Sequence, residues 1–239
     1  MSEIYVYPFP LHENRELLRD STVVVIDVLR ATTTLIAGLQ AGAHRIVPVA
    51  EPEMALRLKN EYLPEPVVLS GERNGLTIPG FDLGNSPWDF TAEKVGERNI
   101  IMCTTNGTKA INFASSAAHV VTGSFWNLSA VVNHLQACET RIILVCSGQM
   151  GQFCMEDMVC AGAIVDGLVS KGNNSWELKD SAQAAQLIYQ KHAHDLSGLL
   201  KSCDHGRYLA SLGMGSDLDY CAQVDVSDRV PVLMNGILQ

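Results

Sequence analysis

The sequence predicts an α/β protein with a three-layer α/β/α arrangement, whose sheet is mostly parallel or mixed, followed by a helical C-terminal subregion. Short aliphatic runs alternate with helical patterns along the chain, as in successive βαβ units. The runs are nearly continuous rather than interrupted by polar residues, which is typical of strands buried on both faces. Hydrophobic residues make up 47% of the 239 residues and charged residues 18%, so we expect a large core.

The aliphatic runs predict strands at residues 22–27, 45–49, 66–70, 99–103, 119–122 and 141–146. The segments between them predict helices near 31–41, 52–61, 108–117 and 128–137, and a longer helix from about 156 to 169. We expect one α/β domain over residues 1–239. A polar stretch at 171–180, which contains Gly172, is the expected linker or insertion, and 181–239 is the expected helical C-terminal part.

Net charge and cysteine content indicate which partners and which cellular location to expect. The net charge of −9 argues against nucleic acid or an anionic membrane as partner. The N-terminus lacks the basic and apolar regions of a secretory signal, and no apolar run is long enough to span a bilayer. Seven cysteines without a CxxC pair suggest a reduced, cytoplasmic protein. The high apolar content also suggests a homo-oligomer.

Polar residues collect where the predicted strands end. Clusters of charges, hydroxyls and glycines follow the strands, within residues 27–34, 70–75, 103–108 and 146–157. Ligands of open parallel sheets bind beyond the carboxyl ends of the strands. If the strands are parallel, these clusters share one rim, and we expect the functional site there.

The residue types at this rim suit the handling of anions. Arg30 and Arg73 can each grip an oxyanion through the forked guanidinium group. Carboxylates such as Asp27 supply the hard oxygen ligands that Mg²⁺ prefers. Structural roles compete with these interpretations, because Asp27 could cap the following helix and acids at 156 and 157 complement a helix dipole anyway. The Asn106-Gly107 pair could likewise be only a turn.

The motifs together resemble the 2-phosphosulfolactate phosphatase family. The stretches that carry the resemblance are VVVIDVLRATTTLIAGLQAGA, LSGERNGLTIPGFDLGNSPWDF, IIMCTTNGTKAI, VCSGQ followed by EDMVCAGAIV, and SLGMGSDLDYCAQVD. The resemblance implies a Mg²⁺-dependent acid phosphatase with a three-layer α/β/α fold. It also implies hydrolysis of 2-phospho-3-sulfolactate to 3-sulfolactate and phosphate, a step in coenzyme M biosynthesis. Members in bacteria without coenzyme M are expected to act on other phosphate esters of 2-hydroxy acids.

The resemblance and the rim chemistry give the site residues their expected roles. Asp27, Glu156 and Asp157 are the expected metal ligands, and Asp27 is alternatively the nucleophile. Asp27, Arg30 and Glu72 are the expected catalytic residues, with Glu72 as metal ligand or general base. The expected binding residues for the small anionic phosphate ester are Arg30, Arg73, Thr104, Thr105, Asn106, Gly107, Thr108, Ser147 and Gly148.

Two other functions stay open at the level of sequence. A cysteine-dependent hydrolase would use Cys103 or Cys146 with Asp27 and a basic partner, although few histidines or lysines lie near either cysteine. A non-catalytic sensor of an organic acid or phosphate would need the anion cradle but not the carboxylates. His192 and His194 are two residues apart and cannot share a helix face, so we expect them at the surface.

Overall fold

The strands and helices follow the predicted alternation along the chain. The computed structural model describes residues 2–61, 65–172 and 175–239, without the side chains of residues 12–14. The strands are β1 (Ser2–Tyr7), β2 (Ser21–Ile26), β3 (Arg45–Pro48), β4 (Val67–Arg73), β5 (Leu76–Thr77), β6 (Asn99–Cys103), β7 (His119–Gly123), β8 (Arg141–Cys146), β9 (Trp176–Leu178), β10 (Leu233–Met234) and β11 (Ile237–Leu238). The helices are α1 (Ala31–Gln40), α2 (Pro52–Glu61), α3 (Ala92–Val95), α4 (Gly107–Ala114), α5 (Leu128–Gln136), α6 (Met155–Ser170), α7 (Asp180–His192), α8 (Leu196–Ser202), α9 (Asp204–Ser211) and α10 (Gly215–Cys221).

The strands divide between two sheets. The first sheet has the order β7-β2-β8-β1-β9, and all of its strand pairs are parallel. The second has the order β10-β11-β3-β6-β4-β5, with parallel pairing among β3, β6 and β4 and antiparallel pairing at both edges. The predicted α/β class is confirmed. The division into two sheets was not predicted, because aliphatic runs do not encode which strands pair.

Helices α1 and α4 lie between the two sheets. One cluster of buried side chains joins Val23 and Ile143 of the first sheet, Leu35 of α1, and Ile46 and Ile100 of the second sheet. Helices α5, α6 and α7 pack on the other face of the first sheet, and α2 packs on the other face of the second. Each sheet therefore has helices on both faces, as in the predicted α/β/α arrangement, and α1 and α4 belong to both.

Three segments differ in detail from the sequence prediction. Strand β1, which was not predicted, pairs with β8 and β9 inside the first sheet. The expected linker at 171–180 contains β9; its residues 173 and 174 lie outside the described residues. The C-terminal part is helical through α10, then ends in the hairpin β10–β11, because Asn235 and Gly236 both adopt the positive φ of a tight turn.

None of the helices in the described parts of the chain combines the length and apolar character needed to cross a membrane.

A buried ion pair attaches the C-terminal helices to the first βα connection. The Arg30 guanidinium lies 2.6 Å from the Asp217 carboxylate on α10, and both side chains are almost fully buried. Ser86 donates a hydrogen bond to the other Asp217 oxygen at 2.8 Å, and Arg30 also donates to the Gly75 carbonyl at 3.1 Å. These contacts hold α10, the β4–β5 turn and the start of α1 together.

Removing one member of this pair should destabilise the protein strongly. Asp217→Asn would leave the Arg30 charge buried and unpaired, so we expect the free energy of unfolding to fall by about 3–5 kcal/mol. Asp219→Asn, on the same helix, removes an exposed pair with Lys201 and should change it by less than about 1 kcal/mol. Urea denaturation of both variants measures the difference. Equal losses in the two variants would contradict a special role for the buried pair.

Candidate active site

A polar cavity lies where strands from both sheets end. Its volume is about 160 Å³. The lining combines carboxylates, amides and hydroxyls with a few apolar side chains. These come from the end of β4, from the segments after β2, β4, β5, β6 and β8, and from α9: Asp27, Leu29, Arg30, Glu72, Asn74, Gly75, Asn85, Thr105, Asn106, Gln149, Met150, His205, Tyr208 and Leu209. The rim predicted from sequence is therefore assembled from two sheets that face each other.

Asp27 is the buried carboxylate at the end of β2. One of its oxygens accepts a hydrogen bond from the Ala31 N–H at 3.1 Å, so it caps α1 as well as lining the cavity. Burial raises the pKa of Asp27 to about 6; the charge of His205 and the Ala31 N–H oppose the rise, and the charge of Glu72 adds to it. The first turn of α4 packs against this carboxylate. A Cβ on Gly107 would lie 2.6 Å from an Asp27 oxygen, so only glycine fits there.

Asp157 supports the loop that carries Asp27. Its carboxylate accepts from the Val28 N–H at 2.9 Å, from the Ser147 hydroxyl at 3.0 Å and from the Gly148 N–H at 3.2 Å. Burial raises the pKa of Asp157 well above its ordinary value, and the charges of Asp27 and Glu156 add to the rise. Asp157, Ser147 and Gly148 do not line the cavity. Their contacts join the loop after β8 to the loop after β2.

Glu72 and Arg73 point to opposite faces of β4, as neighbours on a strand must. The Glu72 carboxylate lines the cavity and accepts from the Thr105 N–H at 2.7 Å and the Gly75 N–H at 2.8 Å. Arg73 instead donates to the Ala50 carbonyl at 2.8 Å and to the Cys103 sulfur at 3.3 Å. The structure therefore brings Glu72 beside Asp27 and places Arg73 outside the cavity.

The predicted anion cradle after β6 divides into two parts. Thr104 and Thr108 are fully buried and cap each other: each backbone N–H donates to the other's hydroxyl, at 3.1 and 3.0 Å. They shape the start of α4 and do not line the cavity. Thr105 and Asn106 do line it, and the Asn106 side-chain oxygen accepts from the Met150 N–H at 3.2 Å.

Glu156 is paired with a histidine that sequence reasoning left without a role. His205 Nδ1 lies 3.1 Å from a Glu156 carboxylate oxygen. Burial acts to raise the pKa of Glu156, but the hydrogen bond and charge of His205 outweigh it, and the pKa lies below its ordinary value. An ionised carboxylate can only accept, so Nδ1 carries the proton of this bond. His205 also lines the cavity, and no local signal in the sequence connects it to Glu156, 49 residues earlier.

Asn85 is a second residue that sequence reasoning missed. Its side chain is buried and lines the cavity, and its amide oxygen has no hydrogen-bond partner among the described residues. With the carboxylates of Asp27 and Glu72, it adds a third oxygen donor to the cavity wall. Oxygen-only donors of this kind fit Mg²⁺. Arg30 lines the cavity too, but its charge is balanced by Asp217.

The cysteines at the strand ends do not have the environment of nucleophiles. Cys146 is fully buried, and burial raises the pKa of its thiol well above the ordinary value, with the charge of Asp157 adding to the rise. Burial also raises the pKa of Cys103, despite the neighbouring Arg73. Neither thiol lines the cavity. A thiolate is the reactive form of cysteine, so this arrangement does not favour the cysteine-hydrolase alternative.

Comparison with known proteins identifies the family. A family model described as 2-phosphosulpholactate phosphatase matches residues 9–236. A protein of Caldanaerobacter subterraneus subsp. tengcongensis is 38% identical over 222 residues, which is 93% of this chain and 91% of the relative. Proteins of Thermotoga maritima and Deinococcus radiodurans are each 41% identical, covering 90% and 92% of both chains. All three relatives bear the name probable 2-phosphosulfolactate phosphatase.

The resemblance first drawn from sequence motifs is thus confirmed over nearly the whole chain. The motifs that carried it surround the cavity: Asp27 and Arg30 lie in the first, Glu72 and Asn85 in the second, and Thr105 in the third. From the extent of the family match and the identity to these relatives, this chain belongs to the 2-phosphosulfolactate phosphatase family.

Proposed function

We propose that this protein hydrolyses the phosphate ester of a small 2-hydroxy acid, most directly 2-phospho-3-sulfolactate to 3-sulfolactate and phosphate, with Mg²⁺ as cofactor. The observation that carries the proposal is the convergence on one cavity of Asp27, Glu72 and the Asn85 oxygen, which has no hydrogen-bond partner among the described residues. The names of the relatives support the reaction class and the substrate. All seven cysteines are free thiols, which fits the expected cytoplasmic location.

The charge balance of the cavity supports a requirement for a metal. Two carboxylates, Asp27 and Glu72, line it, and the guanidinium of Arg30 is neutralised by Asp217. A phosphate ester would meet net negative charge in this cavity without a bound cation. Mg²⁺ held by the oxygen donors would neutralise the phosphoryl oxygens of the ester.

His205 is placed to serve as general acid. Hydrolysis breaks the bond between phosphorus and the ester oxygen, adds the oxygen of water to phosphorus, and leaves an alkoxide that needs a proton. Glu156 fixes the imidazole by accepting from Nδ1. In the imidazolium form Nε2–H would donate that proton to the alkoxide, and the proton that the attacking water loses would restore the imidazolium. Asp27 and Glu72 would hold the cation, and Asp157 keeps the Asp27 loop in place through its bond from the Val28 N–H. The side-chain N–H groups of Asn106 and Gln149 line the cavity and would orient the acid groups of the substrate, whereas the Tyr208 hydroxyl already donates to the Asn74 carbonyl.

Phosphate release should require Mg²⁺. We expect the purified protein to release inorganic phosphate from 2-phospho-3-sulfolactate with Mg²⁺, and to lose this activity with EDTA, because the cavity lacks the positive charge to hold the ester alone. A panel of phospholactate-type esters run beside it ranks the substrates. Tight ester binding without release from any member of the panel would instead indicate the non-catalytic sensor.

Asp27→Asn should lose activity and gain stability at neutral pH. Even outer-shell partners of a metal are worth about 10–100-fold, so loss of a ligand should lower kcat/KM by more than about 100-fold. The pKa of Asp27 rises from 3.8 to about 6 on folding, so the folded state favours the protonated form, and the wild type loses stability as the pH rises from about 4 to about 6. Over this range the free energy of unfolding of the wild type should fall by roughly 3 kcal/mol. Asp27→Asn has no carboxyl to titrate and should not show this fall.

Urea denaturation from pH 4 to pH 8 in EDTA, with phosphate release measured in Mg²⁺, tests both effects. Asp89→Asn is the control, because that carboxylate is exposed and paired with Lys94. Full activity in Asp27→Asn, or a stability difference from the wild type that does not grow between pH 4 and pH 6, would contradict the assigned role of Asp27.

Neighbouring substitutions on β4 should have unequal effects. Glu72→Gln should raise the Mg²⁺ concentration for half-maximal activity by at least about 10-fold, because it removes a charge from the metal-binding wall. Arg73→Gln should change that concentration by less than about two-fold, because the Arg73 side chain contacts Ala50 and Cys103 outside the cavity. Phosphate release at varied Mg²⁺ measures both. A larger effect of Arg73→Gln would restore Arg73 to the substrate site expected from sequence.

A further inference from the structure

We propose that Cys154, Glu156 and His205 form a second metal site, suited to a cation of the Zn²⁺ class rather than to Mg²⁺. One sulfur, one oxygen and one nitrogen donor of these residues lie within 4.8 Å of one another. Cys154 and Glu156 are largely buried, and His205 is partly buried. The site goes beyond the proposed phosphatase reaction, whose metal donors are the oxygens of Asp27, Glu72 and Asn85.

Two helix N-termini bring the three donors together. Cys154 is the residue before α6 and Glu156 lies in its first turn, while His205 lies in the first turn of α9. This arrangement depends on the packing of α9 against the start of α6 rather than on local spacing. No pair of ligands at the spacing of a zinc finger occurs in this segment. The site therefore arises only in the folded protein.

The separation of the donors is close to that of a tetrahedral site. Zinc bonds of about 2.0–2.1 Å to nitrogen and oxygen and 2.3 Å to sulfur place neighbouring ligands roughly 3.3–3.7 Å apart. His205 Nδ1 and a Glu156 oxygen are already 3.1 Å apart, and the Cys154 sulfur lies within 4.8 Å of one donor atom of each of these residues. Small side-chain movements would complete the geometry.

The donor types select the class of cation. Thiolate and imidazole ligands favour Zn²⁺ and related transition metals, whereas Mg²⁺ prefers oxygen donors and keeps much of its water. The carboxylates of Asp157, Glu156 and Asp27 surround Cys154 with negative charge, which favours a cation. Burial and the same charges raise the pKa of the Cys154 thiol, so a bound cation would displace its proton. A Mg²⁺ ion has better ligands in the oxygen-lined cavity.

A second cavity gives access to this site. Its volume is about 430 Å³, and its lining includes Cys154, Glu156, His192, Cys203, Asp204 and His205. Besides the three proposed ligands, the lining includes His192, Cys203 and Asp204, which would also offer donor atoms to a cation that enters this cavity. Three protein ligands and an open cavity leave a fourth position for water, as in open zinc sites.

Occupancy of this site would affect the proposed reaction. Zinc would bind both His205, the proposed proton donor, and Glu156, which fixes the His205 ring. Zinc binding and proton donation by His205 therefore exclude each other. This consequence rests on the proposed function, whereas the binding of the metal does not. Zinc binding is therefore tested in the absence of substrate.

The experiment uses the full-length protein, with Mg²⁺ in excess to fill the oxygen-lined cavity. Zn²⁺ is titrated against a chromophoric chelator, and Co²⁺ is then substituted to report the ligands by its absorption spectrum. We expect one equivalent of Zn²⁺ to bind and the Co²⁺ form to show a thiolate-to-metal charge-transfer band. Cys154→Ser should abolish the band and weaken Zn²⁺ binding by more than about 100-fold, the upper end of what outer-shell partners alone contribute.

Matched variants separate this site from other donors. Cys138→Ser removes a half-buried thiol elsewhere, and His134→Ala removes one ring of the stacked His119–His134 pair. Both should bind Zn²⁺ as the wild type does. His205→Gln provides a second site variant and should weaken binding to the same extent as Cys154→Ser, with thermal unfolding confirming that each variant is folded.

The proposal fails if no equivalent of Zn²⁺ binds, if the charge-transfer band persists in Cys154→Ser, or if His134→Ala loses the binding. Each of these results leaves the phosphatase assay unaffected. Conversely, Zn²⁺ binding that depends on Cys154 in a protein without phosphatase activity would support the site and contradict only the proposed reaction.

Discussion

The ion pair between Arg30 and Asp217 is the contact on which the cavity depends. It is almost fully buried, and it joins the residue before α1 to α10, nearly the whole chain apart in sequence. The same guanidinium reaches the Gly75 carbonyl, so one side chain holds the loop after β2, the turn after β4 and the C-terminal helices. Because Asp217 neutralises its charge, Arg30 has mainly a structural role. The positive charge that an anionic ligand needs has to come from another group.

The second feature of the site is a concentration of buried carboxylates. Four carboxylates lie at the junction of the two sheets, and each accepts from its own donor. Asp27 accepts from the Ala31 N–H, Glu72 from the Thr105 N–H, Asp157 from the Val28 N–H and Glu156 from the His205 imidazole. The backbone donors carry no net charge, so they satisfy the oxygens of Asp27, Glu72 and Asp157 without neutralising them. Burial raises the pKa of Asp27, and the Ala31 N–H and the charge of His205 oppose the rise only in part. The raised pKa values of Asp27 and Asp157 oppose folding at neutral pH and favour a bound cation, whereas His205 holds the pKa of Glu156 below its ordinary value. Shifted pKa values of this kind are typical of functional sites.

The site also separates donors by chemistry. Asp27, Glu72 and Asn85 offer only oxygen donors on one wall. Cys154, Glu156 and His205 form a second wall, which offers a sulfur, an oxygen and a nitrogen donor. His205 lies between the two, lining both cavities. The donors of the two walls therefore differ in the class of cation that they favour. The position of His205 links any occupant of the second wall to chemistry at the first.

The sequence by itself determined the α/β class, nearly all strands and helices of the core, and the rim that carries Asp27, Glu72 and Thr105, because burial and turn chemistry act over a few residues. It could not show that these strands form two sheets, since β2 and β6 have the same aliphatic pattern and pairing is a long-range choice. It could not show which face of β4 lines the cavity, and so whether Glu72 or Arg73 points into it. The partners of Glu156 and Asp217 were equally hidden, because His205 and Arg30 lie far from them in sequence. Contacts of that range exist only once the C-terminal helices have packed onto the first crossover, and the tertiary structure alone decides them.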